Sequence, residues 1–226
     1  DHTDWPSRRG LAPQQQREEA LAMLDRARSL GLNAIILQVR PAGDALYASA
    51  LEPWSEYLTG EQGRAPQPMW DPLEFWVEQA HLRGLELHAW FNPYRARHHT
   101  ATTPLVAPHL AVLQPQAVKT YGEMQWMDPA EPASAERMLA VVADVVRRYD
   151  VDGIHIDDYF YPYPVNKDGS EVPFPDEPAW QRYKGEGGKL ERAQWRRDHV
   201  DRLVQALYRT VHQIKPQVRV GISPFG

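Results

Sequence analysis

Three observations predict an α/β fold, a TIM-type (β/α)8 barrel, from this sequence. An amphipathic helix precedes a short apolar strand four times. Helix-to-strand links are short, whereas strand-to-helix links are long. The strands agree in keeping one apolar face and one polar face. The chain reads as a single domain over residues 1–226, covering roughly the first half of such a barrel.

The first helix is expected over about residues 14–30, with Leu21, Leu24, Ala27 and Leu30 on one stripe and Gly31 as its stop. The strand 33–40 follows. Asp71 and Pro72 open the second helix as N-cap and first-turn proline, Gly84 closes it, and the strand 85–92 follows. A third helix over 132–149 carries Leu139, Val142, Val145 and Val146 and feeds the strand 153–158. A fourth over 190–214 carries Val200, Leu203, Leu207, Val211 and Ile214 and feeds the strand 218–223.

Side chains alternate along a strand with period two. The outward apolar sets are Ile35, Leu37 and Val39; Leu87, Ala89 and Phe91; Ile154 and Ile156; Val218, Val220 and Ile222. The opposite sets are Ile36, Gln38 and Arg40; His88, Trp90 and Asn92; His155 and Asp157; Arg219, Gly221 and Ser223. A doubly wound sheet is apolar on both faces, so the polar second face points to a barrel lumen. The connections 41–70, 93–131 and 159–189 would gather at the C-terminal ends of the strands, where barrel enzymes place their sites. No Gly-rich phosphate loop follows an early strand. A closed barrel needs eight strands, and four are clear. The chain opens on a segment like the tail of a strand-to-loop connection and ends at Ser223-Pro224-Phe225-Gly226, a strand exit. A piece of a longer protein, or a partial barrel, is therefore expected.

With 226 residues and 42% hydrophobic content, the chain can bury one substantial core. A net charge of -5 argues against a nucleic-acid partner. The absence of cysteine excludes disulfides and thiolate metal sites. No stretch is apolar enough to span a membrane. Eight Trp, ten Tyr and twenty Pro suit ordered loops and sugar platforms, or a large aromatic core.

The run from Asp152 to Pro164, DGIHIDDYFYPYP, is the most informative motif. It is a strand ending in two carboxylates that opens into an aromatic loop. Paired acids beside aromatic rings are what cleavage of a glycosidic bond needs. This run resembles the hallmark of the bacterial glycosyl-hydrolase-like family 10. So do Gln38-Val39-Arg40-Pro41, the segment 51–60 (LEPWSEYLTG), the segment 88–95 (HAWFNPYR) and the segment 221–226 (GISPFG). The resemblance implies a TIM-barrel glycosidase acting on peptidoglycan glycan strands, notably strands stripped of their stem peptides. It also implies an exported protein, periplasmic or an outer-membrane lipoprotein. A weaker likeness to the chitinase motif places His155 and Tyr159 where that motif has an Asp and its acid Glu, so chitinase-type chemistry is not expected.

Asp157 is the leading catalytic candidate, as nucleophile or electrostatic partner of an oxocarbenium-like transition state; an ion pair with Arg40 or Arg95 is the bland alternative. Asp158 could be the acid, a ligand of sugar hydroxyls, or a loop cap. A second acid from elsewhere is plausible on geometric grounds, and Glu52 and Glu56 in the first long loop are candidates, Glu56 for catalysis. Arg40, Asn92 and Arg95 are expected to bind substrate, with the lactyl carboxylate of N-acetylmuramic acid as one target for the arginines. Glu52, Trp54, Tyr94, Tyr159 and Tyr161 complete a sugar groove. His88 and His155 face the lumen, as core histidines or substrate ligands. Ser223 sits at a strand tip without a nucleophile elbow and is placed with the substrate-binding set. A zinc site from His155 and Asp157 lacks a tighter ligand cluster, so no metal and no cofactor is expected.

Overall fold

The computed structural model describes residues 3–224; Phe225 and Gly226 of the terminal motif, like Asp1 and His2, lie outside the described residues. In chain order the elements are α1 (Pro13–Ser29), β1 (Ala34–Arg40), α2 (Glu56–Thr59), α3 (Pro72–His81), β2 (Glu86–Phe91), β3 (Arg95–Arg97), α4 (Leu110–Leu113), a 3-10 turn at Pro115–Ala117, β4 (Val118–Tyr121), β5 (Met124–Met127), α5 (Pro132–Arg148), β6 (Gly153–Ile156), β7 (Val165–Lys167), β8 (Ser170–Val172), α6 (Glu177–Gly185), α7 (Arg192–Ile214) and β9 (Arg219–Ile222). All four expected helix–strand units are present, as α1–β1, α3–β2, α5–β6 and α7–β9. Among the described residues no helix is long and apolar enough to cross a membrane.

The four strands form one parallel sheet in the order β1-β2-β6-β9. Its edges among the described residues are β1 and β9, so the sheet is open here. The helices start and stop where the chain's punctuation says. The Asp71 carboxylate accepts from Leu73 N at 3.0 Å and Glu74 N at 3.3 Å, filling the first orphan donors of α3. Its other oxygen accepts from Ala48 N and the Tyr149 hydroxyl, so this cap also ties the first long loop to the end of α5. Gly31 and Gly84 stop α1 and α3 with φ of 74° and 70°. Helix α5 buries Met138, Val141, Val142, Val145 and Val146. Each such side chain stabilises the fold by roughly 1.5–3 kcal/mol. The expected stripe of α1 is narrower than foreseen: Leu24 and Ala27 are buried, whereas Leu30 at the cap is exposed.

The long connections, expected as loops, carry regular structure. A three-stranded antiparallel sheet in the order β3-β5-β4, the hairpin β7–β8 and helix α6 are built inside them. The signal for the first was the Gly122-Glu123 turn between two short alternating runs. These segments are too short to show periodicity by themselves.

The two faces of the main sheet behave as the parity argument requires. Leu37, Leu87, Ala89, Phe91, Ile154 and Ile156 are buried beneath the helices. On the other face Ile36 is exposed, and His88, Trp90 and His155 are half-buried. The strand register aligns Gln38 with Trp90 and His155, and His155 with Gly221. The alternation breaks at the top of β1. There the register slips between Gln38 and Arg40, so that Arg40 pairs with Phe91. One extra residue in a strand is a bulge, and it re-aims the side chains that follow. This corrects the expectation that Arg40 continues the lumenal row of Gln38.

Two small residues make room for the imidazoles on the open face. A Cβ on Gly153 would stand 2.5 Å from His88 Nδ1, and one on Gly221 would stand 3.2 Å from His155 Nδ1. Gly153→Ala is therefore expected to destabilise the protein by about 1–3 kcal/mol through overpacking. Adding His88→Ala should recover most of that loss. Denaturant melts of the two single variants and the double variant measure the coupling; additive losses would refute the clash.

Candidate active site

Asp157 lies just past the end of β6 and is almost fully buried. Its Oδ2 accepts from Trp90 Nε1 at 3.0 Å and from Asn92 Nδ2 at 3.1 Å. Its Oδ1 accepts from the backbone N–H of Tyr159 at 3.2 Å. Burial pushes the Asp157 carboxyl above its ordinary value, while the donors Trp90, Tyr159 and Asn92 and the charge of Arg95 pull the other way. The result is a carboxylate fixed in direction by three donors, one on β2, one just past its end and one in the loop after β6.

Asn92 joins this carboxylate to the next loop. Its Oδ1 accepts from Arg95 N at 2.8 Å, which orients its amide toward Asp157. Arg95 is also buried, yet poorly neutralised. Its guanidinium lies 4.6 Å from the centre of the Tyr159 ring and 6.0 Å from that of Trp126. Nη1 reaches the Pro41 carbonyl at 3.5 Å, and Nε has no partner among the described residues. Burial lowers the Arg95 pKa, against the pull of Asp157 and Tyr159.

Around this centre stand the half-buried Tyr159 and, on the open face, His155. The Nε2 of His155 is 3.0 Å from Ser223 Oγ, and its ring meets Trp90 edge-on at 6.3 Å. Burial holds His155 below its ordinary pKa, with a smaller push from His88. Asp158, next in sequence, turns away to the rim and accepts a hydrogen bond from the Tyr163 hydroxyl.

Other expected site residues are placed elsewhere. Arg40 and Glu52 are both buried and grip each other, with Arg40 Nε 2.8 Å from Glu52 Oε2 and Nη2 2.6 Å from Oε1. They form an internal pair, with no donor atom left toward a ligand site. Glu56 caps a loop crossing: it accepts from the N–H groups of Thr102 and Thr103 and from the Thr103 hydroxyl at 2.6 Å, and pairs with Arg9 at 3.0 Å. Tyr94 is wholly inside the core, with no ring face for a sugar. Trp54 is half-buried against the core and bridges to Ala45. Tyr161 packs edge-on against Phe174 at 5.3 Å and under Arg196 at 5.5 Å. His88 points to the lower end of the sheet, where Nε2 is 3.0 Å from Glu86 Oε2, roughly 13 Å along β2 from Asn92.

Three participants escaped the sequence reading. The alternation sets Trp90 on the lumenal face without marking it as a site residue, although it shares the parity of Asn92. Trp126 sits in a strand too short to be seen, and Tyr163 in an irregular loop. Two further buried carboxyls, Asp44 and Asp128, lie in the loop layer, and burial pushes each of them up to about 6.

Comparison with known proteins places the chain in a family. The family model for Glycosyl hydrolase-like 10 matches residues 1–226. The chain is 43% identical over 224 residues to the glycosyl hydrolase YngK of Bacillus subtilis (strain 168), covering 99% of this chain and 42% of that protein. It is 35% identical over 220 residues to the glycosyl hydrolase DigH of Escherichia coli (strain K12), covering 93% of this chain and 48% of that one. The chain thus spans about half the length of these relatives. Among solved structures, α-L-fucosidase isoenzyme 2 from Paenibacillus thiaminolyticus superposes with a TM-score of 0.60 at 15% identity, over 92% of this chain and 29% of that one, a likeness of fold. Such neighbours are glycoside hydrolases with TIM-like folds. On the family match and the identity to its relatives, this chain belongs to the glycosyl hydrolase-like 10 family.

Proposed function

We propose that this chain carries the active-site half of a glycosidase that cleaves peptidoglycan glycan strands, preferentially strands without stem peptides. The observation that carries the reading is a fixed carboxylate near a buried guanidinium that makes no ion pair with any carboxylate among the described residues. Asp157, held by Trp90, Asn92 and Tyr159 N, is the reacting carboxylate. It acts on an oxocarbenium-like transition state as nucleophile or as fixed negative charge. Asp158 on the rim accepts from sugar hydroxyls. Glu52 and Glu56 have structural partners for their oxygens and take no part in this proposal.

Arg95 supplies the substrate preference. A buried guanidinium without a carboxylate partner is costly, and an anionic ligand offsets that cost. In peptidoglycan the stem peptide is joined through an amide to the lactyl group of N-acetylmuramic acid. Stripping the peptide leaves a free carboxylate, the group a guanidinium fork recognises and an amide is not. Of the two arginines expected to meet it, Arg40 is already paired and Arg95 is not. We also read the four-stranded sheet as part of a (β/α)8 barrel, supported by its all-parallel order and the polar open face. A wall substrate lies outside the cytoplasmic membrane, so the corresponding location is exported, periplasmic or in an outer-membrane lipoprotein.

The test is mass spectrometry of glycan strands, with and without stem peptides, after incubation with the protein. New reducing-end fragments are expected, preferentially from peptide-free strands. Asp157→Asn should reduce their formation by about 100-fold or more. No fragments from the wild type would remove the hydrolase reading. Arg95→Gln should raise KM about ten-fold for strands with free lactyl carboxylates and little for carboxyl-reduced strands. An equal effect on both would sink the carboxylate assignment.

Asp157 also gives a stability signature. Its folded-state pKa is raised, so the protonated group favours the folded state below the ordinary carboxylate range near pH 4, and that contribution is lost as pH rises through the folded value. Asp157→Asn is expected to have a higher Tm than the wild type at neutral pH and a similar one below about pH 4. A variant less stable at neutral pH would contradict the burial argument.

A further inference from the structure

A pocket walled by the loop after Asp158 has no part in the scheme so far. Its volume is about 320 Å³, and Trp126, Tyr159, Tyr163, Met124 and Val165 are among its walls. That is the lower end of the range for small-molecule sites. It lies where the β4–β5 turn meets the loop after Asp158.

The walls are fixed rather than loosely packed. Trp126 Nε1 donates to the Phe160 carbonyl at 2.9 Å. The Tyr121 hydroxyl accepts from Val165 N at 3.0 Å and donates to the Val172 carbonyl at 2.7 Å, clamping the hairpin turn to the loop. A Cβ on Gly122 would stand 3.0 Å from Val165, so the turn already presses on that wall. Three rings form a continuous array: Trp126 to Tyr159 at 6.0 Å and Tyr159 to Tyr163 at 5.1 Å, both tilted by about 50°. Tyr163 is exposed at the mouth of the pocket. The middle ring belongs to the residue whose N–H binds Asp157, so the pocket and the carboxylate share Tyr159.

We propose that this pocket is a distal sugar subsite, occupied by an N-acetylhexosamine unit of the same strand whose bond lies at Asp157. This rests on the glycosidase reading for the identity of the strand. The apolar face of the pyranose ring lies on Tyr163 and Tyr159, and the acetamido methyl lies against Met124 and Val165. The exposed Glu123 and His99 at the same pocket offer partners to the sugar hydroxyls. A rigid aromatic wall gives contact area without ordering new side chains on binding.

The experiment is calorimetric titration of a peptide-free tetrasaccharide of alternating N-acetylglucosamine and N-acetylmuramic acid into the Asp157→Asn protein. The same titration is made with Tyr163→Ala and with Tyr163→Phe added to it. Tyr163→Ala should weaken binding roughly ten-fold. Tyr163→Phe keeps the ring and loses only the hydroxyl, which bonds Asp158 and meets Tyr159, and should bind like its parent. Unchanged affinity in Tyr163→Ala overturns the subsite. So does an equal loss in Tyr163→Phe, which would assign the effect to the hydroxyl's contacts rather than the ring, and so does the absence of measurable binding to the Asp157→Asn protein. If the wild type fails to cleave strands while binding remains ring-dependent, the hydrolase reading falls and the subsite stands.

Discussion

The buried pair of Arg40 and Glu52 holds the loop face of the molecule together. Both side chains are inaccessible to water, and Arg40 also donates through Nη1 to the carbonyls of Asn92 at 2.7 Å and Pro93 at 3.1 Å. One guanidinium thus fastens the top of β1, the first long loop and the exit of β2. Burial pulls the Arg40 pKa down, and Glu52 outweighs it. Two charges taken from water are stabilising as a pair only when their remaining donors and acceptors are satisfied, and losing one partner costs about 3–5 kcal/mol. The chain turn at Asn92 depends on this clamp, and the Asn92 side chain in turn orients Asp157.

The layer above the strands contrasts with that satisfied pair. Asp157 and Arg95 are buried without a full complement of opposite charge, and Asp44 and Asp128 hold their protons up to about 6. Perturbed groups of this kind cluster where a fold gives up stability for chemistry. The sheet beneath supplies the rigidity that makes this tolerable. Its outward face buries Leu37, Val39, Leu87, Ala89, Phe91, Ile154, Ile156 and Val218, and the first long loop is fixed at Asp71, Glu52 and Glu56 by separate carboxylate clamps.

The aromatic residues divide in the same way. Trp5 and Trp76 meet edge-to-face at 5.2 Å in the core, and Tyr94 is enclosed there too. Trp126, Tyr159 and Tyr163 stand on the loop face, where one ring supports Arg95 and the next is open to solvent. Composition alone could not separate these uses, because a tyrosine in a Pro-rich loop has the same local sequence whether it packs inward or outward.

The sequence by itself determined the four helix–strand units, their caps at Asp71, Gly31 and Gly84, the apolar and polar faces of the strands, and the family. Each follows from local periodicity or a local backbone requirement that a few consecutive residues encode. Asp157 and its neighbour Asn92 were legible for the same reason, as polar residues at the ends of strands of known parity. Only the tertiary structure decided which charges meet. A bulge between Gln38 and Arg40 sent Arg40 to Glu52, whereas Arg95 keeps an Nε without a partner among the described residues. Loop crossings enlisted Glu56 as a clamp, and a short hairpin brought Trp126 to Tyr159. These contacts join residues far apart in the chain through irregular backbone. There no repeating period exists to read, and the partner that satisfies a buried charge is chosen by packing in three dimensions.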